Sequence, residues 1–127
     1  MKRILLCLSL LAPVAVFAQD VQKPMTNMEA TRQNTKMDLA NKIQELDASM
    51  SRNNTENTQK VMNDLMASMQ RYIATEANNM EKGKEKETRK KIDNLNAVYS
   101  EVKTMSVDPA KNKQGIKTKV DAFIKLI

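Results

Sequence analysis

The chain has 127 residues, with 21 Lys and Arg against 15 Asp and Glu, a net charge of +6, one cysteine, no tryptophan and no histidine. That length supports one domain with a modest core. Without histidine, and with a single cysteine, the commonest general base and most transition-metal ligand sets are missing, which excludes most hydrolase and metalloenzyme classes.

Lys2 and Arg3 precede an apolar run from Ile4 to Phe17, broken by Ser9 and Pro13, which ends at the small residue Ala18. This order reads as a secretory signal peptide over residues 1–18, cut after Ala18, where Val16 and Ala18 supply the small residues before the cut. The run is short of the roughly 20 apolar residues a membrane crossing needs, so no stable membrane span is expected. Cys7 falls inside the leader, so the expected exported domain, residues 19–127, has no cysteine and must be held by packing alone.

The exported part is rich in Lys, Glu, Met, Ala, Leu and Gln, the better helix formers, and holds three aromatic rings, Tyr72, Tyr99 and Phe123. Its charge is uneven. Residues 19–80 carry 7 basic and 8 acidic groups, whereas residues 81–127 carry 12 and 7.

Thr26 and Glu29 have capping-box spacing after Pro24, and Leu39, Ile43, Leu46 and Met50 recur on one helical face. A first helix is expected over about 27–50. The polar cluster 51–55 then breaks the pattern, with Asn53 and Glu56 placed to cap a second start. Val61, Met62, Leu65, Met66, Met69, Ile73 and Met80 form the broadest apolar stripe in the chain, with Tyr72 at its edge. From Glu81 to Lys91 there is no apolar residue, and Gly83 suits a helix C-terminus, so a mobile, exposed connection is expected there. Ile92, Leu95, Tyr99 and Val102 give a third helix, starting near Thr88. Asp108 and Pro109 are a helix-start pair before a fourth, whose face is Ile116, Val120, Phe123 and Ile127 and whose Gly115 costs about 1 kcal/mol relative to alanine.

The expected fold is therefore all-α, a small antiparallel up-down-up-down four-helix bundle. Its rival fuses the second and third helices into one through the charged run, exposing the stripe and requiring a dimer or an elongated hairpin. The phase between Met80 and Ile92, about 120° from whole turns, disfavours that rival.

Few residues carry chemistry. Ser100 and Lys103 match the S-x-x-K spacing of penicillin-binding enzymes, but the companion motifs are missing. Glu81, Glu85 and Glu87 interleave with Lys82, Lys84 and Lys86, which reads as a self-neutralising solvated face rather than a cation site. Met62, Met66 and Met69, at i, i+4 and i+7, have the thioether spacing of a Cu(I) site, and also the spacing of core filler.

No cofactor is expected. Lys82, Lys84, Lys86, Arg89, Lys90 and Lys91 form the candidate interaction surface, for a protein or an anionic surface of the bacterial envelope. Nucleic acid is not expected as a partner of an exported chain without a binding motif. The expected function is that of a periplasmic or secreted, non-enzymatic binding module: adaptor, inhibitor or chaperone-like. The alternative is a carrier of soft metal or of a small apolar ligand, using the methionines of the second helix.

Overall fold

The computed structural model describes residues 27–127. The expected signal peptide, the cut after Ala18 and the Thr26 half of the capping box lie outside the described residues. Four helices follow in order: α1 Asn27–Ser51, α2 Thr55–Asn78, α3 Glu85–Met105 and α4 Lys113–Leu126. Neighbours in sequence are neighbours in space. α1 packs on α2, α2 on α3, α3 on α4, and α4 closes back on α1, with no close backbone approach across either diagonal. This is the expected four-helix bundle, with α2 and α3 separate and no strand among the described residues.

The core is drawn unequally from the four. Leu39 and Leu46 of α1, Leu95 and Val102 of α3, and Ile116, Val120 and Phe123 of α4 meet five residues of α2: Val61, Met62, Leu65, Met69 and Tyr72. The buried apolar residues come from the expected stripes, although Ile43, Met50, Ile73, Met80, Ile92, Tyr99 and Ile127 of those stripes are only half-buried. Tyr72, expected at the edge, is buried, its ring edge-on to Phe123 with centroids 6.3 Å apart. Met66 is only half-buried and packs against the core from outside.

The α1–α2 turn is built differently from the expectation. Asn53 takes φ +55°, while its N–H donates to the Met50 carbonyl at 3.1 Å and that of Asn54 to Ser49 at 3.0 Å. This pair of bonds is a Schellman closure of α1, with asparagine at the left-handed position. Asn54, not Asn53, then caps α2, its side chain accepting from the Asn57 N–H at 3.0 Å. Asn53→Gly should therefore raise stability by some tenths of a kcal/mol, and Asn53→Val should cost about 1–2 kcal/mol, because a β-branched residue resists that backbone. Urea unfolding of both variants checks the order.

Two further boundaries correct the sequence reading. α3 begins at Glu85, so the connection is the six residues 79–84 and not 81–91. Glu, Lys and Arg are good helix formers, and the inward face of these first turns is turned toward a polar cluster, described below, rather than toward apolar core. Gly83, at φ +89°, makes the turn, and its N–H donates to the Glu85 carboxylate at 3.0 Å. Limited trypsin digestion should accordingly cut first after Lys82 and Lys84, with Lys90 and Lys91 protected; early cleavage at Lys90 would contradict this helix start.

At the other end, Asp108 and Pro109 do not open α4. Asp108 closes a separate turn, accepting from the Lys111 N–H at 3.3 Å, and the Asn112 side chain ties that turn to the Met105 carbonyl at 3.2 Å. α4 starts only at Lys113. Gly115 has a packing reason: a Cβ there would lie 2.6 Å from the Met105 sulfur, so glycine admits the end of α3 against α4.

Candidate functional site

Of the six basic residues expected to form a surface, five are exposed. Lys82 and Lys84 lie in the α2–α3 connection, and Lys86, Arg89 and Lys90 on the outer side of the first turns of α3. Lys84 pairs with Glu81 at 3.3 Å, while Lys82, Lys86 and Lys90 have no carboxylate within ion-pair distance among the described residues. Glu85, expected as part of a self-neutralising face, has its carboxyl held below the ordinary value by its own backbone N–H, that of Gly83 and the charge of Arg89. Lys91 parts company with the others and turns inward.

The inward face of Lys91 belongs to a cluster that the sequence reading did not assemble. Glu76, 5% exposed, sits one turn beyond Tyr72 on α2. Its Oε1 accepts from Arg32 of α1 at 3.5 Å and from Lys91 of α3 at 3.3 Å, and its Oε2 accepts from the Tyr72 hydroxyl. Lys91 also donates to the Tyr72 hydroxyl at 3.4 Å and lies 5.8 Å from the centre of its ring. One carboxylate thus links three helices. A signal was present: Leu65, Met69, Tyr72, Glu76 and Met80 follow one another in steps of four, three, four and four, which puts a carboxylate in register with the apolar stripe. A charge at a core position requires partners.

Burial acts to raise the Glu76 carboxyl, but the Tyr72 hydrogen bond and the charges of Lys91 and Arg32 outweigh it and hold it below the ordinary carboxylate value. Burial, then the Glu76 hydrogen bond, push the Tyr72 phenol well up. At neutral pH the carboxylate stays ionised and the phenol protonated, so neither is poised to exchange a proton as a general acid or base would. What the arrangement can do is fix helices and present charge.

A second polar pair joins α1 to α2. The Ser68 hydroxyl donates to Asp38 at 2.6 Å, and Lys42 meets the same carboxylate at 2.9 Å. On the far side Asp47 bridges α1 to Lys113 and Lys117 of α4 at 3.3 and 3.2 Å. Burial would raise both aspartates, yet hydrogen bonds from Ser68 and Lys42 to Asp38, and from Lys117 and Lys113 to Asp47, keep both carboxyls low.

The three methionines of the soft-metal alternative do not share one environment. Met62 and Met69 are fully enclosed among Val61, Leu65 and the residues of the facing helices, and Met66 lies at the margin. Ser100 and Lys103 are both exposed, on the outer side of α3. Among the described residues no three His, Cys, Asp or Glu side chains gather closely enough to hold a metal ion, and no helix is long and apolar enough to cross a membrane. Comparison of the chain with family models, with curated proteins and with solved structures finds no match.

Proposed function

We propose that the chain is an exported, non-enzymatic helical bundle that works through its surface as a binding module, adaptor, inhibitor or chaperone-like, for an acidic component of the bacterial envelope. The observation that carries this reading is the exposed set Lys82, Lys86, Arg89 and Lys90 around the start of α3. Lys84 and Lys86 stand at the positive end of the helix dipole, where a cation is disfavoured and an acid preferred. Glu85 and Glu87 in the same turn offset that cost and leave the outer side basic. A cationic patch kept at a position where stability alone would favour acids is a surface fitted to an anion. The leader expected over residues 1–18 supports placement in the periplasm or outside the cell.

The test is cosedimentation with phosphatidylglycerol vesicles and with the acidic proteins of an envelope fraction, at low and at physiological salt. Each Lys or Arg near an acidic surface contributes about 1 kcal/mol, so replacing all four with glutamine should weaken retention on the order of a thousandfold. Retention should also fall as salt rises, since screening acts within about 8 Å at physiological strength. Equal retention of the variant and the parent protein would overturn the reading.

A further inference from the structure

At the end of the bundle opposite the basic set, the close of α1, the first turns of α2 and the α3–α4 turn border a cavity of about 290 Å³. Its apolar walls are Met50, Val107, Pro109 and Ala110. Val107 is 86% exposed, one of two large apolar side chains left in water among the described residues. The turn that carries it is tied in place. The Asp108 N–H donates to the Met105 carbonyl at 3.2 Å, and the Asn112 side chain donates to the carbonyls of Met105 and Asp108 at 3.2 and 3.0 Å. A valine held outward in this way keeps apolar surface in water at the mouth of the cavity, where a ligand would cover it.

The polar groups of the lining are mostly acceptors or already engaged. The Thr58 hydroxyl donates to the Asn54 carbonyl at 2.8 Å, and the Gln59 amide donates to Asn63 at 3.1 Å, which leaves the Gln59 side-chain carbonyl free. Asp108 is the single charged residue among those that line the cavity. One of its carboxylate oxygens accepts from the Lys111 N–H at 3.3 Å, and the other has no partner among the described residues. We propose that this cavity binds a small neutral molecule with an apolar body and one hydrogen-bond donor, the body against Met50, Val107, Pro109 and Ala110 and the donor on Asp108. An anion would be repelled by the Asp108 carboxylate. A cation would meet the positive end of α2, which opens at Thr55, in a neighbourhood where Arg52, Lys60 and Lys111 outnumber Glu56. The volume is at the lower end of the roughly 300–1,000 Å³ of ligand pockets, so the ligand is small. None of Lys82, Lys86, Arg89 and Lys90 lines this cavity, so the site stands or falls independently of the basic surface.

The probe is indole, whose ring is apolar and whose N–H donates and does not accept. Its titration is read by the methyl resonances of the methyl-labelled protein. Val107, Ala110 and Met50 should shift along one saturable curve, with a dissociation constant on the order of 1 mM for so small a ligand. Met37, exposed on α1 and outside the cavity, is the internal control and should not follow it. Benzofuran has the same shape with an oxygen in place of the N–H, and should bind about fivefold more weakly, the ratio for loss of one ordinary hydrogen bond. Asp108→Asn keeps an oxygen for the Lys111 N–H but loses the charge, and should remove most of that preference. Val107→Thr, which exchanges one exposed methyl for a hydroxyl, should weaken both ligands about threefold. Shifts that never saturate, or that Met37 shares equally, would show that no such site exists. Equal binding of indole and benzofuran by the parent protein, or an undiminished preference in Asp108→Asn, would overturn the placement of a donor on Asp108.

Discussion

Met69→Ala is expected to lower the unfolding free energy by about 2–5 kcal/mol, and Met62→Ala by a similar amount, the usual cost of emptying a buried long side chain. Both side chains are fully enclosed, in the helix that supplies the largest share of the core. Such losses are a large fraction of the about 5–15 kcal/mol that holds a domain of this kind, so the variants should melt markedly earlier. Met66→Ala should cost less, since Met66 is half-buried and removal of its outer atoms leaves little cavity. Urea unfolding monitored by circular dichroism gives all three values. Equal costs at the three positions would contradict the placement of Met66 at the margin of the core.

Glu76→Ala should destabilise by about 2–4 kcal/mol. Breaking a buried ion pair by removing one partner costs about 3–5 kcal/mol, because the other charge is left without compensation. Here the cost is reduced, since the side chains of Arg32 and Lys91 keep 31% and 24% of their exposure and regain some water. The same residue sets part of the response to acid. Its folded carboxyl lies below the ordinary value of 4.5, so as pH falls the unfolded chain takes up the proton first. Its contribution is therefore fully present above about pH 4.5 and is lost as pH falls through the depressed folded value. Asp38 and Asp47 are shifted the same way and add to the slope below their ordinary value of 3.8. Glu76→Gln removes one of these titrations. Its stability should fall less steeply than that of the parent between pH 5 and pH 3, and parallel slopes would show that Glu76 is not held low.

The polar cluster also explains why the start of α3 is helical without a single apolar residue from Glu81 to Lys91. Apolar burial alone offers these residues nothing to offset about 1–2 kcal/mol of backbone entropy each, which by itself would leave them a loop. The structure provides the offset in another form. Lys91 is anchored on Glu76 and Tyr72, Glu85 reaches back to Gly83, and Glu85 and Glu87 sit in the first turn, where the dipole favours them. Polar anchoring across helices leaves no periodic apolar signal, because the partners, Arg32, Glu76 and Lys91, lie 44 and 15 residues apart.

The helix count, their order and nearly all the buried apolar positions were determined by the sequence itself. Apolar residues spaced by three and four fix which face of a helix must leave water, and Leu39, Leu46, Leu65, Val102, Val120 and Phe123 are buried on that rule alone. The tertiary structure decided what depends on pairing between distant residues: the turn inward of Lys91, the burial of Tyr72, the separate Asp108 turn before α4, and the approach of Met105 to Gly115. A hydrophobic stripe is a property of one helix and can be read along the chain. A hydrogen-bonded charge cluster belongs to three helices at once, and exists only when packing brings them together.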